Sequence, residues 1–118
     1  MAQAAQQLNE VTEVIANIND LPLLDGVCAL VADRHIAVVK ISDSEIYALD
    51  NIDPFSQASV ISRGIVGDLK GHTVIASPIY KQHFVLATGQ CLEDESVSLT
   101  TYPVTIYDNG DVAITVGD

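Results

Sequence analysis

The sequence predicts an all-β fold, a sandwich or barrel of short antiparallel strands. Three observations point there. Short runs dense in Val and Ile recur along the chain, as the pleated, half-buried surface of a sheet favours. Gly, Asn, Asp and Pro punctuate those runs at regular spacing. No long segment carries the apolar period of a helix.

Taken in order, residues 1–10 are Ala- and Gln-rich and are expected to be a flexible N-terminal segment, with 11–118 a single domain. Residues 12–16 are expected as a first strand, and 17–24, with Asn-Asp-Leu-Pro, as a turn or one helical turn. Residues 26–31 and 35–41 predict a hairpin about Ala32-Asp33-Arg34, and Ser42-Asp43-Ser44 turns the chain into a strand over 45–49. Residues 50–57 read as a loop and 59–62 as a short strand. Gly67, Asp68 and Gly71 read as turns. Strands follow over 73–76 and 83–86, the latter closed by an Ala87-Thr88-Gly89 loop. Val97, Leu99 and Thr101 alternate, then Val104 and Ile106, then Val112, Ile114 and Val116. Asn109-Gly110 between the last two runs is a strong hairpin signal.

The chain has 118 residues, 48% of them hydrophobic and 18% charged, a globular composition. Sixteen acidic residues against five basic ones give a net charge of −11. Such a surface repels nucleic-acid phosphates and anionic lipid. Residues 1–7 lack a basic, apolar leader, and no apolar run approaches the length of a membrane span, so a cytoplasmic location is expected.

The chemistry that can be excluded is extensive. No G-x-G-x-x-G, P-loop or G-x-S-x-G occurs. Cys28 and Cys91 are far apart and flanked by apolar residues, which predicts buried free thiols rather than a disulfide framework or a cysteine-ligated cluster. His35, His72 and His83 lack metal-ligand spacing, although an autonomous metal-binding β-domain using them stands as an alternative. A Cys91–His83 nucleophile pair has no orienting third group in the sequence.

Two segments carry a resemblance. One is Tyr47-Ala48-Leu49-Asp50-Asn51-Ile52-Asp53-Pro54-Phe55; the other runs from Thr73 through Ser77-Pro78-Ile79-Tyr80-Lys81-Gln82-His83 to Gly89. They resemble the two cluster-binding loops of Rieske-type domains, Cys-Pro-His and Cys-Pro-Leu-His. The closing Tyr102-Pro103-Val104 and Asp108–Val112 strings resemble that family's last hairpin. The resemblance spans about residues 12–116 and implies a Rieske-like β-sandwich. At the ligand positions the departure is complete: Asp53 and Ser77 stand where cysteines would be, Phe55 and Tyr80 where histidines would be. A Rieske cluster takes two thiolates and two imidazoles. Phe55 has no donor atom, and hydroxyls are poor ligands for iron. Pro54 and Pro78 are kept.

Asn51–Phe55, Ser62-Arg63-Gly64, Ala76-Ser77-Pro78 and Cys91–Glu95 further resemble one branch of that family, the small subunits of cytoplasmic NADH-dependent nitrite reductases. This resemblance implies a cluster-free, non-catalytic chain beside a large subunit carrying flavin (FAD), an iron–sulfur cluster and sirohaem, which reduces nitrite to ammonium. A free-standing Rieske-type electron carrier is the other alternative. The family's loops form an exposed tip, so Asp53, Pro54, Phe55, Tyr80 and Lys81 are expected as a partner-docking surface. Inward folding of Phe55 and Tyr80, to fill the place of the missing cluster, is the competing expectation. The acidic run Glu93-Asp94-Glu95 is expected as a solvated turn or a steering patch.

Overall fold

The computed structural model describes residues 10–117. The expectation for residues 1–10 therefore falls almost wholly outside the described residues. Ten strands follow in chain order: β1 Val11–Asn17, β2 Gly26–Val31, β3 Arg34–Ser42, β4 Glu45–Asp50, β5 Ile65–Leu69, β6 His72–Ala76, β7 His83–Val85, β8 Thr101–Tyr102, β9 Val104–Ile106 and β10 Asp111–Val116. Two 3-10 turns, Ile18–Asp20 and Ile61–Arg63, complete the regular structure among the described residues. All strand pairs are antiparallel and form three sheets, ordered β1-β10-β9, β2-β3-β4-β8 and β5-β6-β7.

The β2-β3-β4-β8 sheet is the middle layer. Side chains alternate across a strand. Ile36 and Val38 of β3 therefore join Ile46 and Ala48 of β4 in a core against β10, with Val112, Ile114 and Val116. Ala37, Val39 and Leu49 point the other way, into a second core with Ile61, Ile75, Phe84, Leu86, Cys91 and Leu99. Burial on both faces is why Ile36-Ala37-Val38-Val39 is apolar without interruption. Lys40 follows this run and is also buried; its ammonium donates to the Ile18 carbonyl at 2.9 Å, anchoring the first 3-10 turn to the middle sheet. Tyr102 ties the two-residue β8 to β4 through its hydroxyl, which donates to Asp50 at 2.5 Å.

Sequence and structure part at a few elements. Residues 59–62 do not make a strand: Ser59 forms only a bridge to Ile52, and Ile61–Arg63 is a 3-10 turn. The cause is Asn51, whose carbonyl accepts from the Val60 and Ile61 amides and whose side chain accepts from Ser62 N–H at 2.6 Å. Gly67 and Asp68 lie within β5, not in turns. The reversal comes at Lys70-Gly71, with φ of 54° and 83°, the positive pair of a two-residue hairpin loop. The alternation at Val97 and Leu99 is not a strand either; Ser98 makes one bridge to Gln90, and only Thr101–Tyr102 pairs with β4. Cys28 is exposed, contrary to expectation, while Cys91 is buried; both are free thiols. Cys28 projects from β2, at the edge of the middle sheet, on the face opposite Val27 and Ala29, which pack on the β10 core.

Candidate functional site

The two loops singled out in the sequence share one backbone frame. In 53–58 the Asp53 amide donates to Ala58 O at 2.8 Å and the Gln57 amide to Asp53 O at 2.7 Å. In 77–82 the Ser77 amide donates to Gln82 O at 2.9 Å and the Lys81 amide to Ser77 O at 3.1 Å. Gln57 and Lys81 hold the same left-handed place, with φ of 65° and 66°. Each loop opens with a residue followed by Pro, whose fixed φ and missing N–H suit a turn entry. The same frame recurs at 85–90, where Gly89 supplies the positive φ. The frame is therefore a property of the sheet's hairpins and not of a ligand.

The first residues of the two loops meet. Asp53 and Ser77 are 0% and 1% exposed. The Ser77 hydroxyl donates to Asp53 Oδ2 at 2.5 Å. Asp53 Oδ1 accepts from the Phe55 amide at 2.8 Å and, more weakly, from Ser56 at 3.4 Å. Ser77 Oγ accepts from the Ile79 amide at 3.4 Å.

The expected tip residues divide. Phe55 is half-buried, packs on the second core and lies 6.4 Å from the Phe84 ring. Asp53 is wholly interior, so neither it nor the inner side of Phe55 belongs to a docking surface. Asp53 was expected at an exposed tip, and Phe55 either there or folded inward; the Ser77 bond and the Phe84 contact draw them in. Tyr80 is the reverse: at 58% exposed it does not fold inward. Pro78, Ile79 and Lys81 are exposed beside it, and Pro54 is half-buried.

The frame under the tip uses Asn51 and Glu93 in roles the sequence did not indicate. Asn51 is fully buried and donates from its amide to Ser59 Oγ at 2.8 Å, fixing the exit of the first loop. Glu93 fixes the exit of the second: its carboxylate accepts from the His83 amide at 2.7 Å and pairs with His83 Nδ1 at 2.7 Å. Ten residues separate the two, so no local pattern announced the pairing. Asp94 accepts from the Ser96 hydroxyl and amide, at 2.6 and 3.0 Å. Two of the three carboxylates in the acidic run are thus engaged within the fold, and Glu95 is exposed.

Burial pushes the Glu93 carboxyl up, but the bonds from the His83 amide and ring, with the imidazole charge, outweigh it and hold it below its ordinary value. A lowered carboxyl stabilises the fold above its unfolded pKa and loses that contribution as pH falls through the folded value. Glu93→Gln is therefore expected to cost from a few tenths to about 1 kcal/mol at pH 6, since the pair is partly solvated. The gap between the two proteins should close as pH drops below about 4. Urea titrations across this pH range check it; a gap independent of pH would refute it.

His35, His72 and His83 do not converge. His35 Nδ1 lies 3.0 Å from Ser59 Oγ, His72 is exposed on β6, and His83 is paired with Glu93. No cluster of His, Cys, Asp and Glu with metal-site geometry occurs among the described residues. Glu93 does stand between His83 and Cys91, with its Oε1 3.8 Å from the thiol. The thiol thus faces a carboxylate rather than the imidazole, and burial pushes its pKa up, against what a nucleophile needs.

The sequence matches the Rieske-like [2Fe-2S] domain family over residues 12–115. It is 40% identical to the NADH nitrite reductase small subunit of Escherichia coli K12, over 80% of this chain and 88% of that protein. The chain belongs to the nitrite reductase small-subunit family of Rieske-like domains. A Mycobacterium tuberculosis crystal structure assigned to the NADH-dependent nitrite reductase small subunit superposes with a TM-score of 0.88. That pair is 36% identical, covering 92% of this chain and 97% of the other. A large subunit of NAD(P)H nitrite reductase from Klebsiella oxytoca contains a stretch 35% identical to this chain, over 85% of this chain and 10% of the larger protein.

The residues at the tip of this small-subunit homologue do not fit the family's [2Fe-2S] group. Phe55 offers no donor atom, and its ring is packed toward Phe84. Asp53 and Ser77 face each other in a direct hydrogen bond, which leaves no room for iron between their oxygens. Hydroxyl and carboxylate donors also replace the thiolates the cluster requires.

Proposed function

We propose that this chain is the accessory small subunit of a cytoplasmic NAD(P)H nitrite reductase, acting as one domain over residues 11–118. It binds no cluster and performs no redox step itself. Its large-subunit partner carries FAD, an iron–sulfur cluster and sirohaem, and reduces nitrite to ammonium in nitrate assimilation. The Klebsiella large subunit carries this reading: an equivalent stretch lies in the same polypeptide as the rest of that enzyme. Reduction of nitrite needs redox cofactors. The tip residues here lack the donors to bind one.

The docking surface in this reading is the outer side of the tip: Pro54, Ile79, Tyr80 and Lys81. In a chain of net charge −11, this surface presents apolar and aromatic groups with one cation. The carboxylates of Asp53 and Glu93, at the base of the two loops, are bonded within the fold. Lys81 holds φ +66°, a conformation that favours glycine. Lys81→Gly therefore keeps or raises the stability of the isolated chain while removing the cation.

Nitrite-dependent NAD(P)H oxidation by the large subunit, with and without this chain, tests the assignment. No effect of the chain on rate, stability or cofactor content of the large subunit would overturn it. Tyr80→Ala and Lys81→Gly test the surface. Both are expected to leave thermal stability intact, and Tyr80→Ala to weaken association by about tenfold or more. Unchanged affinity in both would place the interface elsewhere.

A further inference from the structure

We infer that Asp53 and Ser77 form a latch between the two tip loops that positions the docking surface for the large subunit, an inference that rests on the tip reading above. In the family's cluster-bearing members, iron joins these two positions. Here the join is a single hydrogen bond of 2.5 Å between side chains that are 0% and 1% exposed.

The bonding is directional throughout. A carboxylate only accepts. Asp53 Oδ1 takes the Phe55 and Ser56 amides of its own loop, and Oδ2 takes the Ser77 hydroxyl of the other. Ser77 Oγ in turn takes the Ile79 amide. A continuous path therefore runs from the Pro54 loop, through Asp53 and Ser77, to the residue beside Tyr80. No Lys, Arg or His pairs with Asp53 among the described residues. The buried charge is held by these hydrogen bonds, and losing one leaves it under-compensated. The proposed surface takes Pro54 from one loop and Ile79, Tyr80 and Lys81 from the other. Fixing the loops against each other before binding lowers the ordering cost of association.

The test compares Ser77→Ala, Asp53→Asn and Tyr80→Ala in the full chain. It measures amide hydrogen exchange at 55, 56 and 79 and affinity for the large subunit, at a temperature where each variant is folded. Ser77→Ala is expected to speed exchange in both loops and to weaken association roughly tenfold. Asp53→Asn keeps the join, because its amide donates to Ser77 Oγ while Oδ1 still accepts from Phe55; it is expected to retain most of the affinity. If Ser77→Ala does not fold, Asp53→Ala/Ser77→Ala removes donor and charge together and takes its place. Faster exchange with unchanged affinity would make the pair structural only and overturn the inference. Unchanged exchange would show that no latch exists. Wild-type affinity in Tyr80→Ala and Lys81→Gly would instead overturn the tip reading, so the two failures are distinguishable.

Discussion

Phe84→Ala is expected to destabilise the chain by about 3–5 kcal/mol, the cost of deleting a fully buried aromatic side chain. Phe84 is 0% exposed and sits in the core that joins the middle sheet to β5-β6-β7, among Ala37, Val39, Leu49, Ile61 and Ile75. Its ring is also the floor for Phe55, tilted 41° from it. The substitution therefore removes packing from the core and support from the first tip loop together. Domains of this size are commonly stable by only about 5–15 kcal/mol, so the loss is a large share of the whole. Calorimetry should show Tm falling by roughly 15 °C or more. A fall of only a few degrees would mean that the core closes over the gap and that Phe55 does not depend on this ring. Phe84→Leu, which keeps most of the volume, should recover much of the loss.

Gly89→Ala is expected to cost about 2–4 kcal/mol, from two separate sources. Gly89 has φ +80°, where a Cβ is strained in any surroundings. A Cβ there would also lie 2.0 Å from the Leu99 carbonyl oxygen, so the backbone must move. That movement pulls on the Leu99 N–H bond to Gly89 O, 2.8 Å long, which holds the segment before β8 onto the 85–90 loop. Gly71 is the control: its φ is +83°, but a Cβ there meets nothing within 4 Å. Gly71→Ala should therefore cost only the conformational strain, about 1–2 kcal/mol. Denaturant titrations of both variants decide the point, and equal losses would show that the contact with Leu99 contributes nothing.

Several elements were legible in the residues because their causes are local. The Gly26–Val31 strand has the bounds its apolar run implies. The Asn-Gly hairpin also forms, with Gly110 at φ +92° and the Tyr107 amide bonded to Asp111 O, 2.9 Å away. The absence of thiol and imidazole at Asp53, Phe55, Ser77 and Tyr80 was legible too, since side-chain chemistry is a property of the residue alone. Misread elements have non-local causes. Ile61–Arg63 turns because Asn51, ten residues earlier, takes its amides. Val97 and Leu99 alternate for burial under the second core but find no strand to pair with for more than one bridge.

The tip divides along the same line. By itself the sequence determined an acidic, all-β scaffold and two proline-led loops that carry Asp, Phe, Ser and Tyr in place of two cysteines and two histidines. Only the tertiary structure decided that Asp53 and Ser77 face each other in the interior, that Phe55 turns toward Phe84, and that Tyr80 stays in solvent. The physical reason is that side-chain chemistry travels with the residue, whereas burial is set by which sheet packs over it. Asp53 lies 24 residues from Ser77 and meets it only because the hairpin loop after β4 and the loop after β6 come to the same end of the molecule.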